Sequence, residues 1–226
     1  MNEDFSKLLS PFQFPVSGIQ VDNRIVMAPM TTFSGNEDGT VSDDELSYYK
    51  ERNRGAGLLI SACAYVTPQG KAFPGQFSAY SDDMLPSLKR LAAALKENGG
   101  KAVLQIHHGG RMCPPELVPG GEPLSASAVA PVREGAVTPR EMTELEIEET
   151  IAAYGEAARR AVEAGFDGVE IHGANTYLIQ QFFSPHSNRR TDKWGGSLEK
   201  RMTFPLAVVD AVKAAVKKAS DRPFII

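Results

Sequence analysis

Cysteine is scarce in this chain: Cys63 and Cys113 are the only two in 226 residues. They form neither a redox CxxC pair nor the spaced pairs of a zinc ribbon, so a disulfide scaffold and a cysteine metal site are excluded as organising features. Reduced thiols in a cytoplasmic protein are the expectation. Long apolar runs are also lacking. The longest, such as residues 57–64, fall far short of a bilayer span, so no membrane partner is expected. The opening MNEDFSKLLSPFQFPV places Glu3 and Asp4 first, with no apolar core of signal-peptide length behind them. There is no block of like charges, and the net charge of −4 argues against nucleic acid as a partner. No internal repeat, low-complexity segment or linker breaks the chain. Two phosphate-binding signatures are missing as well. No GxGxxG follows the first candidate strand, and no GxxxxGK[ST] occurs anywhere.

What is present is alternation. With 42% hydrophobic residues the chain can bury a large core, and short apolar runs alternate with helical patterns. The runs at residues 24–30, 57–62, 101–107 and 167–172 read as strands, and PFII at 223–226 as a further strand just begun. Ser42 and Glu45 form a capping-box pattern that opens a helix ending near Gly55. A second helix covers 84–96 and stops at Asn98-Gly99-Gly100. Thr143 and Glu146 repeat the capping box, for a helix running to Gly165, and a last helix covers about 197–218. Residues 109–142 are irregular and rich in Gly and Pro, and a loop of that length usually carries function or is disordered. Strand–helix alternation implies a parallel sheet, in either a doubly wound fold or a (β/α)₈ barrel. The absent dinucleotide fingerprint and the polar loops after the third and fourth strands favour the barrel.

The fourth strand, VEIH, is the richest in chemistry. Alternation puts Glu170 and His172 on one face, with His172 at the strand's C-terminal end where barrel enzymes keep catalytic groups. Asn175 and Tyr177 follow within five residues. An imidazole and an amide can grip an oxygen that gains negative charge, and the phenol can deliver a proton. The bland alternative is a histidine satisfied in an ordinary polar loop. On the third strand, Gln105 and His107 share a face. Gln105 inside a strand needs partners, which either a polar ring above the barrel or a neighbouring side chain would supply. His107 and His108 are adjacent and point to opposite faces, which disfavours a metal site. The NRRTD run at 188–192 reads either as an anion site or as a loop held by ion pairs, the second being favoured. Arg111 faces either a nicotinamide cofactor or solvent.

The segment HGANTYLIQQFFSPHSNRRTDKWGGSLEKR, from His172 to Arg201, resembles the signature segment of the Old Yellow Enzyme family of FMN-dependent oxidoreductases. NRIVMAPMTT from Asn23, ACAYVTPQG from Ala62 and LQIHHGGR from Leu104 resemble the same family in the right order. The resemblance implies a (β/α)₈ barrel binding FMN, with NADH or NADPH as reductant and a small electrophilic alkene of enone type as substrate. It implies that Ala28, Pro29, Met30 and Thr31 lie along the flavin ring, that Cys63 approaches it, and that Gln105 bonds its pyrimidine end. His172 and Asn175 would hold the substrate oxygen and Tyr177 would donate the proton. Phe33 stands where some relatives place a ligand-contacting tyrosine, and Asn175 where many have a second histidine.

Only about four to five βα units of such a barrel are expected in residues 1–226, read as one domain incomplete at its C-terminus. The FMN phosphate site, usual after strands seven and eight, would then lie outside it, and self-association of the open barrel is expected. The competing readings are a metal-dependent hydrolase, a Schiff-base aldolase, or a fragment without catalysis.

Overall fold

A four-stranded parallel sheet forms the centre of the structure, a computed structural model that describes residues 3–226. Helix α1 (Glu3–Leu8) and an antiparallel ribbon of β1 (Phe12–Gln13) and β2 (Gln20–Val21) come first. There follow β3 (Val26–Met27), α2 (Asp43–Arg52), β4 (Leu58–Tyr65), α3 (Leu85–Lys96) and β5 (Lys101–His107). A short parallel pair, β6 (Leu124–Ser125) and β7 (Arg140–Glu141), lies in the long irregular stretch. The described chain closes with α4 (Glu144–Ala164), β8 (Gly168–Ile171), α5 (Leu178–Phe183) and α6 (Leu198–Ala219). The sheet order is β3-β4-β5-β8, which is sequence order, and every pairing is parallel. A doubly wound sheet would reverse direction at a switch point, and this one does not.

The two faces of the sheet differ as a barrel wall requires. Outward residues such as Leu59, Leu104, Ile106 and Val169 join Leu88, Leu91, Tyr154, Ala158, Phe204 and Val208 of the helices in one large core. The inward face carries a small cluster of Val21, Leu58 and Val103, packed by Phe12, Phe14, Ile60 and Ile225. Strand β4 is buried along nearly its whole length, the pattern of a strand covered on both sides.

The third and fourth strands fall where the sequence places them, but the first is shorter. Only Val26 and Met27 pair with β4. Pro29 has no N–H to give, and residues 28–32 leave the ladder. The end of the chain touches the sheet through one bridge, Gly168 to Ile225. A Cβ on Gly168 would lie 2.7 Å from the Ile225 carbonyl oxygen, so this close approach requires glycine. At α4 the full capping box forms, and Gly165 ends the helix with φ of 90°. At α2 the box is half made: the Ser42 hydroxyl accepts from the Glu45 amide, but the Glu45 carboxylate turns into the core and takes the Thr32 hydroxyl. The short helix α5 has no side-chain cap and was not legible in the sequence. Among the described residues no helix is long and apolar enough to cross a membrane.

Candidate active site

A pocket of about 520 Å³ opens at the C-terminal rim of the sheet. Pro29 and Thr31 line it after β3, Cys63 on β4, Gln105 on β5, and Glu170, His172, Asn175 and Tyr177 on β8 and its following loop. Of the residues expected at a flavin, Pro29, Thr31, Cys63 and Gln105 therefore meet at one rim. Ala28 and Met30 lie outside the lining, with the Met30 sulfur 3.9 Å from the Tyr48 hydroxyl. Phe33 is also outside it. Its ring is half exposed, its φ is 59°, and it meets the pocket only through Phe73, 5.4 Å away.

A slip in pairing aims Cys63 inward. The register of β4 against β5 shifts between Ile60 and Cys63, which takes Ser61 and Ala62 out of the ladder. Their polar groups find other partners: the Gln105 amide donates to Ser61 Oγ at 3.2 Å, and the Ala62 amide donates to Tyr49 Oη at 2.6 Å. Cys63 Sγ then sits 3.5 Å from Thr31 Oγ1. Burial pushes the thiol up from its usual range. Gln105 Nε2 donates to Glu170 Oε1 at 2.6 Å, so a neighbouring carboxylate fixes the side-chain amide at the pocket wall.

The loop after β8 is held in an uncommon conformation. Asn175 and Thr176 are successive left-handed residues, φ 54° and 65°. Such positions cost on the order of 1–3 kcal/mol each unless the surroundings impose them. Two glutamines of α5 do so: Gln180 Oε1 accepts the Thr176 amide at 2.5 Å, and Gln181 Nε2 donates to the Thr176 carbonyl at 2.6 Å. Gln181 also accepts the Arg111 amide and the Ser125 hydroxyl, each at 3.0 Å, and donates to the Gly109 carbonyl. One buried side chain thus ties the loop after β5 to the loop after β8.

The rings of His107, His172 and Tyr177 are packed 4.4 to 5.2 Å apart, Tyr177 edge to face with each histidine and the two imidazoles tilted by 59°. The Ala174 amide donates to His172 Nδ1 at 3.3 Å, which places the proton of a neutral ring on Nε2. Burial lowers the His172 pKa, partly offset by Glu170, and burial raises that of Tyr177. At neutral pH the site therefore offers an uncharged imidazole N–H, an amide and an intact phenol.

Other sequence readings resolve plainly. Arg111 does not face solvent; it is buried, and its guanidinium donates to the carbonyls of Val129 and Ala130. The 188–192 run is structural: Arg190 pairs with Asp192 and Glu141, and Asn188 ties Phe182 to Trp194. His108 is buried with Nδ1 accepting the Gly110 amide, and burial brings its pKa down to about 3. Among the described residues no three His, Cys, Asp or Glu side chains are grouped to hold a metal ion. Sequence reading missed Phe73 in the pocket wall and the buried Gln76 and Glu45 behind it. A lone Gln or Glu gives no periodic signal that would single it out.

Parallel strands in sequence order, helices on one face and polar groups gathered at the C-terminal rim define a barrel-enzyme site. The model of the NADH:flavin oxidoreductase / NADH oxidase family matches residues 7–225, and the chain belongs to that family. It is 53% identical over 226 residues to the probable NADH-dependent flavin oxidoreductase YqiG of Bacillus subtilis, matching all of this chain and 60% of that protein. It is 53% identical to the NADH:acrylate oxidoreductase of Vibrio harveyi over 93% of this chain and 21% of that one. The old yellow enzyme homologue of Zymomonas mobilis superposes with a TM-score of 0.86 at 32% identity, over 94% of this chain and 61% of the other. The fold is thus part of an Old Yellow Enzyme-type (β/α)₈ barrel, and the chain spans about 60% of the barrel proteins it resembles.

Proposed function

We propose that this chain carries the flavin-ring and substrate sites of an FMN-dependent oxidoreductase that uses NADH or NADPH to reduce a small activated alkene of enone type. The observation that carries this reading is the convergence of His172, Asn175 and Tyr177 on the rim that also holds Thr31, Cys63 and Gln105. The donor set suits a flavin ring: a hydroxyl, a thiol and a fixed amide are spaced along one side of an open polar pocket. FMN, when bound, would supply the hydride chemistry that links the nicotinamide to the alkene.

The chain's own residues do the rest. Negative charge collects on the substrate oxygen as the alkene is reduced, and the His172 Nε2–H and the Asn175 amide stabilise it there. Because His172 is uncharged, it grips the oxygen as a donor without protonating it. Tyr177 keeps its proton at neutral pH and delivers it to the carbon beside the activating group. Pro29, Thr31, Cys63 and Gln105 position the ring, and Phe33 edges the entrance through Phe73. The Vibrio harveyi relative is named for acrylate, an activated alkene, which supports the substrate class. Residues 1–226 act as one domain, in the cytoplasm, with a small molecule rather than nucleic acid or membrane as partner.

The double variant His172→Ala, Asn175→Ala tests the substrate grip. Losing two donors to a charged oxygen should weaken binding of an enone or phenol by roughly 2–4 kcal/mol. Flavin fluorescence titration should show FMN affinity unchanged. Unaltered enone affinity in the double variant would sink the assignment.

A further inference from the structure

Gln76 has no part in the reading above, yet it is 2% exposed and lies directly behind the pocket wall. Its amide has only one possible orientation. The Ala72 N–H donates to Oε1 at 2.8 Å, so that atom is the oxygen and Nε2 is the NH₂ group. Nε2 lies 3.1 Å from the Cys63 carbonyl oxygen, 3.3 Å from Cys63 Sγ and 3.2 Å from His107 Nδ1. The carbonyl takes one N–H. The other faces the imidazole, where a proton on Nδ1 would set donor against donor. Nδ1 must therefore offer its lone pair, and the ring proton sits on Nε2. That Nε2 is buried with no acceptor among the described residues.

His107 is completely buried, and Tyr177 packs against it with ring centroids 4.4 Å apart. The titratable groups around it are His108 just after β5, His172 and Tyr177 just after β8, and Cys63 across Gln76; no carboxylate is among them. Burial and the two neighbouring histidines keep the ring uncharged.

We propose that Gln76 is a positioning residue that holds His107 as its Nε2–H tautomer, so that the imidazole supporting Tyr177 has no free lone pair with which to take the phenol proton. Nδ1 is occupied by the amide and Nε2 already carries hydrogen. The Tyr177 proton then cannot pass to His107 and is kept for the substrate. The same amide ties β4 to β5 through Cys63 and His107, next to the point where their ladder slips. This inference rests on Tyr177 being the proton donor only for its purpose, not for its test.

Long-range ¹H–¹⁵N correlation spectra of the full chain, without flavin or substrate, read the tautomer directly. The His107 signals are assigned by their loss in His107→Phe. The wild type should show His107 with its proton on Nε2 and a lone pair on Nδ1. In Gln76→Glu at pH 8 the carboxylate presents an acceptor to the ring, and Nδ1 should become protonated. A wild-type spectrum with the proton on Nδ1 overturns the proposal, even if the variant fails to fold. An unchanged His107 pattern in a folded Gln76→Glu protein overturns it equally. Neither outcome bears on whether the chain reduces alkenes.

Discussion

The histidines set how this protein should respond to acid. His107, His108 and His172 all have pKa values pulled below 6.5, with burial the largest cause each time. The unfolded chain then binds protons that the folded chain refuses. Stability linked to these groups is complete above the unfolded value and falls as pH drops below it. Glu45 works in the opposite sense, because burial raises its pKa and its contribution is lost as pH rises. Three groups against one give a net loss between about pH 6.5 and 4.5, before the paired carboxylates titrate. Urea midpoints should therefore fall steadily across that window. His107→Phe, which keeps a ring in place, should flatten the slope; an unchanged slope would mean that His107 is not a buried neutral imidazole. At this scale the sequence was legible where periodicity spoke. Alternation on VEIH and LQIH put Glu170 with His172 and Gln105 with His107 on shared faces, and Gln105, Glu170 and His172 line one pocket. It was silent on partners. Gln105 pairing with Glu170, and Gln76 reaching Cys63 and His107, depend on residues far apart in the chain.

The elements show the same division. Helices α4 and α6 and strand β5 were readable because caps and apolar periodicity agree with burial. The first strand was over-read, since Pro29 and the turn toward the pocket interrupt pairing that an apolar run suggests. Helix α5 escaped notice: six residues without a cap give too little pattern, and its role is to hold a loop. That role is testable. Gln181→Leu removes four hydrogen bonds, to Gly109, Arg111, Ser125 and Thr176, leaving buried partners unpaired. A loss of about 3 kcal/mol is expected from thermal or urea unfolding. Faster hydrogen exchange should appear at residues 173–177 in particular. A protein that loses stability without loosening that loop would show that Gln181 supports the core rather than the site.

Across the whole molecule the inward sheet face decides behaviour. Val26, Leu58, Ile60, Val103 and Ile225 line an apolar groove of about 540 Å³, and among the described residues β3 has a strand on one side only. An uncovered apolar face beside an open edge favours association. Residues 1–226 prepared alone should therefore elute from gel filtration as more than a monomer, shifting with concentration. Elution as a monomer at every concentration would show that the groove is covered from within. Parallel order and helix placement were legible because strand–helix alternation leaves few topologies. How the inner face is filled was not, since that depends on packing between elements distant in sequence.

The most direct test of the account follows one flavin-loaded protein through both half-reactions, anaerobically, by flavin absorbance in a stopped-flow instrument. The wild type is compared with Tyr177→Phe, which keeps the ring and removes the proton. NADH or NADPH should bleach both proteins at similar rates, because Tyr177 has no part in that step. Return of the flavin colour on mixing with an enone should be slower in Tyr177→Phe by a factor of roughly 10²–10⁴, the usual worth of a positioned acid. Equal recovery rates in the two proteins would contradict the assignment of Tyr177 and the site built around it.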